Sequence, residues 1–504
     1  MEQDCEDVTG RSALHQHLLA AAHVLLPSEL VSTSIVPSEL LEHLVRAVRR
    51  DLNADRLWTL FVAVTSRYPT RDEISEGIRA FELSGADDDA ALIWLLDTSL
   101  EGALDGSSPG REIKLVRESV LVDVHFAAHH DLHTGVQEVV RQLLPLWVRD
   151  RCVVPVAWTE RFGSYRRLTP PELHRVHLRA EHATQDSIDE VGFDNPILLP
   201  WNCIIVLPEV PFGDAPDRLS AMAQFSNNHL VAIGHDCIPV VSGDLVPMED
   251  ARRFVNYLSM IKHAERVAGV SSSASAEFQG FVETLSTQGL QGPLVVECRE
   301  PSPPPSGGTR RSNSPRKRPM VLMVGSLEPR KNHLAVLHAA ERLWRAGIDF
   351  EMTIICGSGW GSDIPDRIEQ LTEAGRPLTV MRQADAATLD LAYRTARFSV
   401  FPSLHEGFGL PVAESLAAGT PVITSNFGSL QEISSFGGTL MVNPHDDDAL
   451  EHAMRRLLTE DTVLEDLQKQ IEMRPRRDWE DYARELWTSL VQPLFISPST
   501  SAAS

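Results

Sequence analysis

Two short stretches of this chain carry residue types that could grip an anion and hydroxyl groups together. The first runs Gly325-Ser326-Leu327-Glu328-Pro329-Arg330-Lys331-Asn332. An apolar run at 320–325 precedes it and reads as a strand ending in glycine. A helical pattern at 332–346 follows, with Gly347 as its stop. Ligands of open α/β sheets sit beyond the carboxyl ends of strands, and helix N-termini favour phosphate. Arg330 and Lys331 stand where a pyrophosphate could bind. Read alone, the same stretch is also a surface loop with two solvated cations. The second stretch is His405-Glu406-Gly407-Phe408-Gly409-Leu410-Pro411-Val412-Ala413-Glu414. Gly407 and Gly409 allow close backbone approach, and their N–H groups can form an anion nest. Pro411 suits a first helical turn. Glu406 and Glu414 flank the turn, and carboxylates accept several hydrogen bonds from adjacent hydroxyls. The plainer reading of Glu414 is a carboxylate near a helix start.

The elements needed to hold these stretches follow from pattern. Residues 1–115 read as helical, with apolar residues at helical spacing such as Leu41, Leu44, Val45 and Val48. Trp58, Phe61 and Trp94 are expected mostly to fill a small core of that extension. Residues 116–299 alternate strand and helix. The strands are expected at 119–124, 152–157, 203–207, 229–233 and 266–270, and a helix at 250–263. Residues 300–318 are rich in proline, serine and arginine and read as a linker, the alternative being an import or anionic-surface signal. Residues 319–480 form a second alternating unit, with strands near 351–356, 378–381, 398–401, 421–424 and 440–442. Alternation of this kind implies parallel sheets covered on both faces. Residues 481–504 are read as a helix end and a disordered tail.

Composition narrows the class. The 504 residues are 43% hydrophobic and 23% charged, and net charge is −24. Such a chain repels phosphate at long range, so nucleic acid is not an expected partner. Its six cysteines are scattered without metal-ligand spacing, which fits a reducing compartment. The acidic start, Met1 to Asp7, lacks the apolar core of a secretory signal, and the apolar run at 197–212 is broken by three prolines. A cytoplasmic location is expected. His129, His130, Asp131 and His133 fit no standard metal site. Asp446-Asp447-Asp448 is better explained as a helix N-cap, so no metal site is expected.

The two motifs together resemble family 4 glycosyltransferases. The matching stretches are VGSLEPRKN at 324–332 and FPSLHEGFGLPVAESLAAGTPVITS at 401–425, the latter containing that family's E-x(7)-E signature. The resemblance is strong over about 320–460. Residues 122–140, 233–239 and 267–278 look more weakly like its N-terminal domain, and 479–491 looks like the helix that crosses back to it. The implied fold is α/β of the GT-B type: two doubly wound Rossmann-like domains facing across a cleft, here with a helical extension of unknown role.

By that resemblance Lys331 would bind the donor diphosphate, with Arg330, Ser326 and Gly325 beside it. The family often has an arginine where this chain has Ser326. Glu406 would face the transferred sugar, the backbone of Gly407, Phe408, Gly409 and Leu410 would cradle phosphate and sugar, and Glu414 would hold the ribose. His235 would lie near the reacting centre, next to Asp236. Gly135 would belong to the acceptor-side loop, where many members carry two glycines. The implied activity is a retaining, metal-independent hexosyl transfer from a nucleotide-diphosphate sugar to a glycan or glycolipid acceptor, without a cofactor. GDP-mannose is the donor expected first, because 324–332 looks most like mannosyl-transferring members of bacterial polysaccharide assembly. Association with the inner face of the membrane and a partner protein docking on 1–115 are further expectations. Two other readings stay open: a GT-B scaffold of weak activity using 1–115 as its interaction module, and a GT-B phosphorylase or epimerase.

Overall fold

The computed structural model describes residues 2–31, 33–84, 88–104, 111–130, 134–178, 195–301, 318–357, 359–361, 363–382, 384–475 and 477–496. Asp131 and His133, the loop expected at 106–110, most of the linker and the tail from 497 fall outside these residues.

The first sheet has nine strands: β1 (Ile113–Arg117), β2 (Val120–Asp123), β3 (Val154–Trp158), β4 (Tyr165–Arg167), β5 (Ile197–Trp201), β6 (Ile204–Leu207), β7 (His229–Gly234), β8 (Arg266–Gly269) and β9 (Leu294–Glu297). They lie in the order β1-β5-β4-β3-β2-β6-β7-β8-β9. All neighbours are parallel except the two pairings of β4, which is antiparallel to β3 and β5. The central strands are short apolar runs with no polar face, such as β6 (IIVL), because helices cover both sides.

The second sheet is wholly parallel, in the order β12-β11-β10-β13-β14-β15. Its strands are β10 (Met320–Val324), β11 (Glu351–Cys356), β12 (Leu378–Arg382), β13 (Phe398–Phe401), β14 (Val422–Ser425) and β15 (Thr439–Val442). Local chemistry sets its helix ends. Gly347, at φ +83°, follows the helix His333–Arg345. Asp446 caps Asp447–Thr459 by accepting from the Ala449 N–H at 2.9 Å, the role expected for that acidic run.

Among the described residues, the α-helices Glu2–Leu25, Pro37–Arg50, Ala54–Thr65, Arg71–Leu83 and Asp89–Leu104 precede β1. The expected boundary at 115 cuts through β1, which pairs with β5, so the helices and the first sheet are continuous structure. Phe61 and Trp94 pack within the helices, ring to ring at 5.8 Å. Trp58 instead meets Tyr68, which packs on Trp158 and Tyr165 from the sheet. The Tyr68 hydroxyl donates to the Leu198 carbonyl at 2.7 Å. The expectation that these aromatics mostly fill a separate helical core therefore needs correcting for Trp58. The helical layer packs on the β1-β5-β4-β3 end of one face of the sheet, beside the helix Ala215–Phe225.

The chain also returns. The helix Trp479–Leu486, which contains the expected boundary at 480, packs on Gly135–Arg151 in the first unit. Trp147 Nε1 donates to the Ala483 carbonyl at 3.0 Å. Tyr482, Leu486 and Leu490 share a core with Val139 and Leu143.

Candidate functional site

The two sheets present their carboxyl ends to one cleft of about 330 Å³. Its first wall comes from the loops after β6 and β7, including Phe212, His235 and Asp236, and from the helix Met248–Ile261, including Arg253 and Phe254. Its second wall comes from the loops after β10 and β11, with Glu328, Arg330 and Trp360. This is where an open α/β sheet places a ligand.

On the second wall the loop after β10 turns through Gly325 and a single 3-10 turn, Pro329–Lys331. That turn aims two cations at one carboxylate. Lys331 Nζ lies 2.6 Å from Glu406 Oε1, and Arg330 Nη1 lies 2.9 Å from Glu406 Oε2. Lys331 is only 7% exposed, and its ammonium lies 5.0 Å from the centre of the Phe401 ring. Burial pushes Lys331 down, with Glu406 opposing that shift. Burial would likewise raise Glu406, but Lys331 and Arg330 outweigh it and hold the carboxyl at about 2. Arg330 also donates through Nε to Glu328 at 2.7 Å, and the Ser326 hydroxyl donates to the same Glu328. Ser326 therefore brings no cation to this loop; it orients Glu328, which orients Arg330.

The glycines of 405–414 have separate tasks. A Cβ on Gly407 would stand 2.1 Å from the His235 carbonyl oxygen, so glycine alone lets this loop meet the opposite wall. Gly409 sits at φ +111°, a conformation other residues avoid, and opens the helix Leu410–Ala417. Phe408 is buried in a core that also holds first-domain residues such as Val124 and Val270. Leu410 touches Gly135, the first residue of its helix: a Cβ added there would lie 3.2 Å from Leu410 Cδ1. Glu414, one turn on, accepts from the Tyr393 hydroxyl at 2.9 Å. Burial raises Glu414 to about 7, against that hydrogen bond and with Glu138 adding to the rise.

On the first wall His235 is buried, with Nε2 2.8 Å from the Pro208 carbonyl. Burial pushes its pKa down, and a buried Glu300 lies 3.9 Å from Nδ1. Asp236 accepts from the Ile238 N–H at 3.0 Å; burial raises it and Arg330 opposes the rise. The structure thus gathers Arg330, Lys331, Glu406, Gly407, His235 and Asp236 at one junction. Glu414 lies one turn along the helix that leaves it, and Gly135 lies against Leu410 at the start of that helix.

Several polar groups near the cleft carry no local sequence signal. Asp123, at the end of β2, accepts from Trp158 Nε1 at 2.8 Å and the Tyr165 hydroxyl at 2.9 Å; burial raises it to about 6. Glu209, after β6, accepts from the N–H groups of Phe126 and Ala127 at 3.0 Å; burial, then Asp123, raises it to about 8. Of the expected histidine cluster, His129 lies 3.3 Å from Glu172. No cluster of metal-ligating side chains occurs among the described residues. None of the described helices is long and apolar enough to cross a membrane.

Comparison with known proteins bears on this geometry. The family model described as "Glycosyl transferases group 1" matches residues 309–483. The chain is similar to the serotype-specific mannosyltransferase WbdA of Escherichia coli, 25% identical over 331 residues, 62% of this chain and 38% of that protein. It is 32% identical over 146 residues to the O-antigen chain mannosyltransferase B of Escherichia coli, covering 28% of this chain and 37% of that one. The chain thus spans about two fifths of these relatives' length. Its fold resembles a sucrose-phosphate synthase of Thermosynechococcus elongatus, with TM-score 0.52, 19% identity, and coverage of 75% of this chain and 99% of that one. It also resembles Anabaena Alr3699/HepE, solved with UDP and glucose, with TM-score 0.52, 11% identity, and coverage of 74% and 99%. Residues 309–483 thus resemble the glycosyl transferases group 1 family, and the described residues have the GT-B fold of these structural neighbours.

Proposed function

We propose that this chain transfers a hexose, mannose before others, from a nucleotide-diphosphate sugar to a glycan or glycolipid acceptor in polysaccharide assembly. The observation that carries the reading is the Arg330–Lys331–Glu406 cluster, which meets His235 and Asp236 at the junction beside the cleft, with Arg330 lining it. A diphosphate is the anion that such a pair of cations at a strand end suits. In the reaction the bond from the sugar C1 to the phosphate oxygen breaks, and its electron pair leaves with the diphosphate. Lys331, Arg330 and the N–H groups around Gly407–Gly409 stabilise that developing charge. An acceptor hydroxyl bonds to C1 and gives its proton to the departing phosphate. Glu406 orients the sugar hydroxyls, and Glu414 the ribose. Retention of configuration and independence from metal belong to the same proposal, and no cofactor is required.

The choice of mannose and of polysaccharide assembly draws on the names of the bacterial relatives, WbdA and the O-antigen chain mannosyltransferases. One screen tests the reading. Purified protein is incubated with GDP-mannose, GDP-fucose, UDP-glucose, UDP-galactose and UDP-N-acetylglucosamine, and nucleotide release is followed with and without mannose-terminated oligosaccharides. Acceptor-dependent release of GDP from GDP-mannose is the expected result. Release from a UDP-sugar alone moves the donor, and no release from any donor favours the scaffold reading. The specific observation behind that second reading is Ser326, which supplies a hydroxyl to Glu328 where related sites place a cation.

A further inference from the structure

We propose that Glu277 is a positioning residue that yokes the site loops of the two domains into one working arrangement; this rests on the transfer reading above. Glu277 lies on the helix Ser272–Ser286 of the first domain, away from the cleft lining. Its two oxygens go to different domains. Oε2 accepts from the Cys237 N–H at 2.6 Å, and Cys237 directly follows His235 and Asp236. Oε1 lies 2.6 Å from His405 Nε2, and His405 directly precedes Glu406. The other ring nitrogen, Nδ1, lies 2.8 Å from the Ser242 hydroxyl of the first domain.

A single carboxylate therefore fixes both halves of the site through their nearest neighbours. The start of the same helix grips the same opposing loop. Ser271, its N-cap, donates to the Gly407 carbonyl at 2.6 Å while accepting from the Ala274 N–H at 2.9 Å. Gly407 meanwhile lies against the His235 carbonyl, with no room for a Cβ. The junction of Glu406 with His235 thus has a fixed register, and Glu277 is the one carboxylate bonded to both loops among the described residues.

Charge suits the contact. His405 is faced by Glu277 from the helix, by Asp236 from the loop after β7, and by its neighbour Glu406; the Arg330 guanidinium lies 3.3 Å from its carbonyl oxygen. Burial lowers the imidazole, but Glu277, Asp236 and Glu406 outweigh it and favour the charged ring. A charged His405 donates from both nitrogens, to Glu277 and to Ser242, and such bonds are the strong kind. Misplacing reacting groups by about 1 Å can cost about 10²-fold in rate.

The experiment compares wild type, Glu277→Ala, Glu277→Gln, His405→Phe and the Glu277→Ala/His405→Phe double variant. GDP and UDP affinity is measured by calorimetry, kcat on the donor found active, and radius of gyration by small-angle scattering. The expected result for Glu277→Ala is a kcat lower by about 10²-fold with nucleotide affinity within about two-fold, since the cations of the donor loop are untouched. Glu277→Gln recovers part of the rate, because its amide oxygen still accepts from Cys237. The double variant is no worse than the worse single one, as groups acting as a unit are not additive. An unchanged kcat in Glu277→Ala, a parallel fall in nucleotide affinity, or additive losses overturns the proposal. If Glu277→Ala does not fold, His405→Phe decides on the same criteria. If wild type transfers no sugar, the transfer reading fails, and scattering judges the yoke: a larger radius in Glu277→Ala supports it, and an unchanged one overturns it.

Discussion

Lys331 and Glu406 meet at 2.6 Å in a setting where neither is open to solvent, and they come from loops 75 residues apart. The pair is an ion pair held behind Arg330, which lines the cleft. Glu406 keeps Arg330 at 2.9 Å if Lys331 is lost, but removing Glu406 strands the buried Lys331, a change that costs about 3–5 kcal/mol. Glu406→Ala is expected to lower stability by that order in urea titration. Added GDP or UDP should restore part of the loss, because phosphate oxygens replace the missing carboxylate beside Lys331 and Arg330. Lys331→Ala should instead lose nucleotide affinity, and calorimetry distinguishes the two.

Acid should unlock the same pair. Lys331 and Arg330, overcoming burial, hold Glu406 at about 2, against an ordinary value of 4.5. The stability this group contributes is complete above 4.5 and is lost as pH falls towards 2. Stability measured across that window should fall less steeply in Glu406→Gln than in wild type.

Glu414 has the opposite sign. Burial holds it at about 7, so the folded state keeps its proton where the unfolded chain loses it. Its contribution is full below 4.5 and is lost as pH rises through about 7. Glu414→Gln should therefore flatten this part of the stability profile. If the carboxylate grips ribose, the same change should raise the donor KM by about ten-fold with kcat little altered.

The helical layer is testable apart from chemistry. Deleting residues 1–110 would remove Tyr68 from Trp158 and Tyr165, which are 0–2% exposed in the intact fold. The truncated protein is expected to aggregate or to lose nucleotide binding through misfolding of the first unit. Milder variants grade the same contact. Tyr68→Phe, which loses the bond to the Leu198 carbonyl, should cost about 1 kcal/mol. Trp58→Ala should cost about 3–5 kcal/mol. Donor KM should be unchanged in both. A monodisperse, active deletion variant would contradict this account.

Transfer should also continue in excess chelator. In the proposed transfer the cations of 330–331 carry the charge of the leaving diphosphate. Loss of activity with EDTA, restored by magnesium or manganese, would refute metal independence.

Legibility in the sequence followed locality. The parallel strands β2, β6, β7, β10, β11 and β13 stand out as apolar runs because both faces are buried. β4 does not, because Tyr165-Arg166-Arg167 looks polar; Tyr165 is held by an aromatic cluster and Asp123, and Arg166 by Glu172. β1 and β5 are hidden similarly, one carrying Lys114 and Arg117 and the other ending in Pro200-Trp201. In the site, Arg330, Lys331 and Glu406 are carried by contiguous motifs. Glu277 and His405 meet across 128 residues, and nothing near Glu277 in the chain announces its partner. The helical layer reads as a separate module because its apolar face has the same periodicity whether it covers helix or sheet.

The helix Trp479–Leu486 completes a core begun by Gly135–Arg151, with the whole second domain made in between. During synthesis the first domain therefore waits for the last. Without Tyr482 and Leu486, Trp147, Val139 and Leu143 would lack apolar partners they have in the finished core. Cutting the chain after the second sheet would accordingly harm the domain furthest from the cut.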